Sequence, residues 1–223
     1  MVEHIEITPE LVAGNSSVNI EVISEKGPYR AQNMVVPDEV ASGFFVTDIK
    51  VGRNSQLVSV GAVPADYFAR CGATEDLLFD SLSRGMTMYV CVTNMTAEAK
   101  KFSGHLRGEL LPDRHDRSCP YKRIILGLGH TIVAAHSLAK IAVQAQVVCK
   151  PDKVVIPRHL LDGFKVKALR VAGFDAGQGE LRDGMASFAP KIMQIGDWLC
   201  IEVENMTDRP LAFYGTVGGT IVQ

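Results

Sequence analysis

The chain has 223 residues, 47% hydrophobic and 22% charged, with a formal net charge of −2. That supplies apolar material for one or two cores. The near balance of charge excludes a strongly basic nucleic-acid-binding chain, although a local basic patch stays compatible with it.

The N-terminus, Met1-Val2-Glu3-His4, is polar and acidic with no apolar stretch behind it, so no signal peptide is expected. Asn19–Ser24 alternates polar and apolar residues, as a half-buried strand does. Val35-Val36-Pro37 reads as the end of a short strand at a sheet edge, because proline has no N–H for the ladder. Glu39–Gly43 predicts a helical turn, and Phe44–Val51 alternates again. Pro64–Cys71 predicts a second short turn, with Pro64 at its first position. Met86–Val92 is a dense run of strand formers. It ends at Asn94-Met95-Thr96, where an asparagine can close a turn on its own backbone. Phe102–Leu110 then returns as the second strand of a hairpin.

Gly127-Leu128-Gly129 predicts a turn, since it lacks the spacing and the helix of a dinucleotide site. Ile124–Val148 leans apolar, but Gly127, Gly129, His130, His136, Lys140 and Gln144 interrupt it, which rules out a membrane-spanning helix. Lys140–Val148 alternates. A strand ending at Pro157, a turn over His159–Gly163, and strands over Phe164–Val171, Trp198–Val203 and Leu211–Val222 complete the chain.

The second half repeats the first. Residues Gly85–Leu110 align without a gap on Gly196–Ile221, pairing Asn94-Met95-Thr96 with Asn205-Met206-Thr207 and Phe102 with Phe213. The same alignment pairs Gly104 with Gly215 and Gly108 with Gly219. Upstream, Val35-Val36-Pro37 matches Val155-Ile156-Pro157, and Ser16, Ile20 and Val22 match Ser137, Ile141 and Val143. Three blocks in one order imply an internal duplication with a domain-sized period. The expected fold is therefore all-β: two tandem β-sandwiches of Greek-key or jelly-roll type. Residues 1–112 form the first, 113–122 a polar linker and 123–223 the second. The spacing differs between Gly52–Arg84 and Ala172–Gly184, which predicts variable loops there.

No catalytic, cofactor or metal motif is present, so no site residue is assigned. The five cysteines, Cys71, Cys91, Cys119, Cys149 and Cys200, form no CxxC pattern and read as reduced thiols. Cys91 and Cys200 lie in strand patterns as small hydrophobes. His130 and His136 lie six residues apart, about 20 Å along a strand, too far to share a metal. No H-x-H of the cupin type occurs, and Thr216 replaces His105 in the second unit. Asp48 and Asp76 are isolated carboxylates, so a lectin or glycosidase stays open as an alternative. Asn94 and Asn205 are formal glycosylation sequons read here as turn asparagines. The stretch Asp113–Arg123 carries four basic residues, which leaves contact with phosphate or a neighbouring subunit open.

Two fused β-sandwiches without a catalytic motif resemble the tandem (double) jelly-roll capsid proteins of icosahedral viruses and phages. The resemblance is one of architecture and covers about 1–112 and 120–223. It is carried by the repeated blocks around Val35-Val36-Pro37, Phe44–Val51, Asn94-Met95-Thr96 and Phe102-Ser103-Gly104. It implies a non-enzymatic virion structural protein, made in the host cytoplasm, that assembles with itself as a trimer or larger shell and meets other virion proteins. Gly52–Arg84, with Leu57, Val58, Val60, Val63, Tyr67 and Phe68, is expected among the subunit contacts. The alternative is a carbohydrate- or ligand-binding β-sandwich, a glycan-active enzyme included. Such a module exposes clustered aromatics, and the lone Trp198 sits inside a strand pattern.

Overall fold

The computed structural model describes residues 2–25, 27–57, 62–70, 79–111, 123–176, 185–187 and 191–222. The fold is all-β, and the chain divides into two compact units. The first is built on Met1–Leu57 and Pro64–Arg123, the second on Ile124–Gln223 together with Val58–Val63. The expected linker, 113–122, lies outside the described residues.

In the first unit, β1 (Val2–Val12), β2 (Ser16–Ile23), β3 (Tyr29–Val35) and β4 (Phe44–Val51) come first. They are followed by β5 (Asn54–Ser55), β6 (Val63–Pro64), β7 (Ser81–Leu82), β8 (Thr87–Asn94) and β9 (Lys100–Leu110). Two short helices, α1 (Asp38–Ala41) and α2 (Ala65–Arg70), interrupt them. One sheet has the order β1-β9-β3-β7; the other is β2-β8-β4-β5, with β6 paired to β4. Leaving the two-residue β6 aside, the first strand pairs with the last, the second with the seventh, the third with the sixth and the fourth with the fifth. A long hairpin rolled over on itself gives this pairing, and it is the jelly roll.

The second unit contains β10 (Arg123–Val133), β11 (Leu138–Gln144), β12 (Cys149–Val155), α3 (Arg158–Leu161) and β13 (Phe164–Val171). Then come β14 (Phe174–Asp175), β15 (Met185–Ser187), β16 (Trp198–Asn205) and β17 (Leu211–Ile221). Its sheets run β10-β17-β12-β15 and β11-β16-β13-β14, the same order strand for strand. The irregularities agree too. The bulge between Ala31 and Asn33 matches that between Pro151 and Lys153, and the bulge between Val46 and Asp48 matches that between Val166 and Ala168.

Alternation explains the core. Met88, Val90 and Val92 of β8 and Leu199, Ile201 and Val203 of β16 point inward and are fully buried. Phe102 packs edge-to-face on Phe44, with ring centres 5.1 Å apart. Phe213 packs the same way on Phe164, also at 5.1 Å. Both phenylalanines of the final strands are fully buried, and such pairs add to the area they bury.

Three local expectations change. Pro37 and Pro157 follow strands that are interior to their sheets, not edges. Each proline sits just past the ladder and starts a helical turn, where its carbonyl accepts the first backbone N–H groups. Gly127-Leu128-Gly129 lies within β10 rather than in a turn, with Gly129 at φ +72°, a local kink in an edge strand. Within Gly52–Arg84, Leu57, Val63, Tyr67 and Phe68 are buried inside the protein itself. The apolar content of that segment thus fills the chain's own interior, with α2 packed on α1, β3 and β4. Val58 and Val60 lie outside the described residues.

Candidate functional site

Each roll closes on a buried asparagine. At the end of β8, the Asn94 Nδ2 donates to the carbonyls of Val12 (3.0 Å) and Glu98 (2.8 Å). Its Oδ1 accepts the Thr96 N–H (2.9 Å) and hydroxyl (2.7 Å). Asn205 repeats all four bonds, to Val133 (3.0 Å), Arg209 (2.8 Å) and Thr207 (2.9 and 2.8 Å). Both side chains are completely buried. The turn expected from the sequence is there, and the amide does more: it ties the eighth-strand turn to the end of the first strand.

Around each knot the unit exposes large apolar side chains at matching positions. Leu11, beside Val12, is 68% exposed, and its counterpart Ile132, beside Val133, is 71% exposed. Met95 and Met206, beside the two asparagines, are 46% and 51% exposed. Four exposed hydrophobes at two equivalent places are not scattered singly, the pattern that needs no explanation. Sequence reasoning passed over the pair Leu11 and Ile132. Extending the Ser16/Ser137 register five residues upstream would have found it.

The first strand of each roll is a free sheet edge, and β1 is blunted. Pro9 falls in the bulge between Ile7 and Glu10, and Glu6 and Glu10 face outward. These are the devices that keep an edge from pairing with another chain along its length.

The polar candidates are dispersed. His130 stacks on Tyr214, with ring centres 6.0 Å apart, whereas His136 occupies a turn at φ +50° and meets Asp208 at 2.8 Å. The Tyr214 hydroxyl bonds instead to His159 Nε2 at 2.7 Å. His105 lies 5.1 Å from His4, and burial together with His4 pushes its pKa down. Among the described residues no three His, Cys, Asp or Glu side chains gather as metal ligands. Asp48 accepts a hydrogen bond from Ser55 and lies 3.7 Å from Lys50. Asp76, Cys71 and Cys119 lie outside the described residues. Cys91 and Cys149 are buried; burial and Asp197 push the Cys149 thiol up to about 11.

The described residues also form concavities. A cleft of about 240 Å³ in the first unit is lined by Glu3, His4, Glu6, Ser24 and Tyr29, among others. The Tyr29 proton is shared between the carbonyls of Glu3 and Leu106, 3.2 Å from each. Burial and Glu3 raise its pKa, so the phenol is a donor and not a base. The second is a broad depression of about 820 Å³ on the outer face of β11-β16-β13, lined by Lys140, Ala142, Arg170, Ala172, Asp197, Trp198 and Cys200 and the glycines beside them. Trp198 is half exposed there, which corrects the expectation that its strand position hides it.

Among the described residues no helix is long and apolar enough to cross a membrane. No protein-family model and no curated protein sequence matches the chain. Solved structures similar to it include the major capsid protein P2 of bacteriophage PM2, with TM-score 0.44 and 10% identity over 100% of this chain and 99% of that one. They also include a fucolectin from the serum of Morone saxatilis (striped bass), with TM-score 0.25 and 11% identity over 96% of this chain and 86% of that one.

Proposed function

We propose that the protein is a non-enzymatic structural component of a virion, one that self-assembles into a shell. The supporting observation is that one chain holds two rolls of identical strand order, each presenting an exposed apolar pair at the same place: Leu11 with Met95, and Ile132 with Met206. A subunit with two equivalent contact points lets three chains offer six, the economy expected of a closed shell. The two rolls are read as copies of one ancestral unit, which accounts for the shared bulges as well as the shared order. The contacts are assigned to the knot ends rather than to Gly52–Arg84, whose described apolar residues are already buried.

Light scattering of the purified chain at micromolar concentration, with electron microscopy of the same sample, tests this. Trimers or larger closed assemblies are expected, and the double variant Leu11→Glu, Ile132→Glu should dissociate them without lowering the melting temperature. A strictly monomeric wild-type chain, with no assembled form in native particles, would remove the shell reading.

A further inference from the structure

The depression on the second unit is built by residue size. On the outer face of β16, Cys200 stands between Ala142 of β11 and Arg170 of β13, its register partners. Ala142, Cys200, Ala172 and Gly173 form a floor of small residues. Trp198 rises at one end of that floor, with Gln144 as its partner on β11. Lys140, opposite Glu202, stands at the other end. From Trp198 to Glu202 is four residues along an antiparallel strand, about 13 Å.

The first unit is an internal control. The same strands carry Asn19, Glu21, Lys50, Gly52, Thr87 and Tyr89 where the second has Lys140, Ala142, Arg170, Ala172, Trp198 and Cys200. Tyr89 and Glu21 occupy the places of Cys200 and Ala142, which fills the floor, and no aromatic stands at Thr87. The fold therefore does not require the depression.

The chemistry of the walls is two-sided. Trp198 offers a flat apolar face that is half exposed. Arg170 gives one Nη to Glu202 at 2.8 Å, which offsets that carboxylate and leaves its other N–H groups available. Lys140 makes no ion pair within 4 Å among the described residues, so its ammonium is left to a ligand at that end, while Glu202 is held by Arg170 and Asp197 lies toward the Trp198 end. Gln144 donates its amide to the Gly196 carbonyl at 3.0 Å, leaving its own oxygen as an acceptor. Asp197 spends Oδ2 on the Gln194 N–H at 2.7 Å and leaves its second oxygen for a donor.

A ligand matching this surface has one flat C–H face, hydroxyls around its edge and a negative charge at the far end. We propose that the outer face of β11-β16-β13 binds an acidic saccharide, a pyranose bearing a carboxylate, with Trp198 under the sugar ring and Lys140 and Arg170 at the carboxylate. The volume, about 820 Å³, holds one or two sugar rings. This inference does not rest on the shell reading; each stands or falls by its own experiment.

Trp198 is the single tryptophan of the chain, so intrinsic fluorescence reports the site directly. The purified full chain is titrated with sialyllactose and methyl glucuronide, and with lactose and methyl glucoside as neutral counterparts. A saturable change in emission is expected for the acidic sugars at about 1 mM, with the neutral sugars at least about tenfold weaker. Cys200→Tyr, which copies Tyr89 of the first unit, should abolish the response. Lys140→Glu, with its folding checked by the melting curve because it faces Glu202, should weaken the acidic sugars alone. No saturable response to any sugar up to about 20 mM would overturn the site. So would a full response in a folded Cys200→Tyr variant. Equal binding of acidic and neutral sugars, or an unchanged response in Lys140→Glu, would overturn the assignment to acidic saccharides.

Discussion

Replacing Asn94 or Asn205 with alanine removes four hydrogen bonds at one stroke. The bond to the Val12 or Val133 carbonyl is buried, and the other three are partly buried. A buried group left unpaired costs about 1–3 kcal/mol, and a bond whose partners regain water costs about 0.5–1.5 kcal/mol or less. With the three partly buried bonds at the low end of that range, the sum for each knot is about 2.5–4.5 kcal/mol. For a unit of this size that is a fall in melting temperature on the order of 10–20 °C. Asparagine to aspartate separates hydrogen bonding from mere shape. The carboxylate keeps the acceptor for Thr96 or Thr207 but faces two carbonyls that need a donor. Its folded-state pKa is raised, so the variant is least impaired below the carboxylate's unfolded value of about 3.9 and loses stability as pH rises through the folded value. Calorimetry and urea unfolding of Asn94→Ala, Asn205→Ala and both aspartate variants, at several pH values, measure this. Losses under about 1 kcal/mol for both alanine variants, or aspartate variants with the wild-type pH profile, would refute the reasoning.

Phe102→Ala and Phe213→Ala each remove a fully buried ring packed edge-to-face on a second ring. Denaturant unfolding should show a loss of about 3–5 kcal/mol for each. The depressed pKa of His105 favours its neutral form in the fold. Its contribution is therefore complete above its ordinary value of 6.5 and is lost as pH falls through the lower folded value; melting curves of His105→Gln against pH should show a shallower acid limb. The Cys149 thiol, buried and raised to about 11, should resist alkylation at about pH 8 in the native protein, while the partly exposed Cys200 reacts ahead of it, as peptide mapping by mass spectrometry would show.

Alternation carried most of the fold. Phe44–Val51 and Phe164–Val171 are strands with the limits the pattern suggests, and both Asn-Met-Thr triplets end strands. What stayed hidden has a physical reason. Val2–Val12 is an edge strand, and the glutamates and Pro9 that protect an edge give it the composition of a loop. In β10 the two glycines look like a turn because a kinked strand and a turn both use positive φ. The depression was invisible for another reason: Ala142, Ala172 and Cys200 are far apart in sequence and unremarkable singly. Only strand register sets them side by side. Cys200 reads as a core thiol in a strand pattern, yet it lies on the outer face, out of phase with Leu199 and Ile201.

Where the two units agree, the agreement concentrates on backbone geometry, and Gly108 and Gly219 make that testable. Each sits on the final strand opposite the bulge of the third, facing Ala31 in one unit and Pro151 in the other. The bulge pushes the third strand's backbone toward its neighbour. A Cβ on Gly108 would fall 2.0 Å from the Arg30 carbonyl oxygen and 2.8 Å from the Ala31 Cα. On Gly219 it would fall 2.6 Å from the Lys150 oxygen and 2.7 Å from the Pro151 Cα. These are main-chain atoms, so no side chain can swing away and a strand must shift. Overpacking of this kind costs about 1–3 kcal/mol, and displaced backbone in an interior strand puts both variants at or above the upper end. The deeper overlap puts Gly108→Ala beyond Gly219→Ala, while Ser103→Ala on the same strand, facing outward, should stay within about 0.5 kcal/mol of wild type. Urea unfolding of the three variants measures the order. Glycine variants that lose under about 1 kcal/mol, or a Gly219→Ala that loses more than Gly108→Ala, would show that the bulges yield and that close strand approach is not what keeps glycine at both positions.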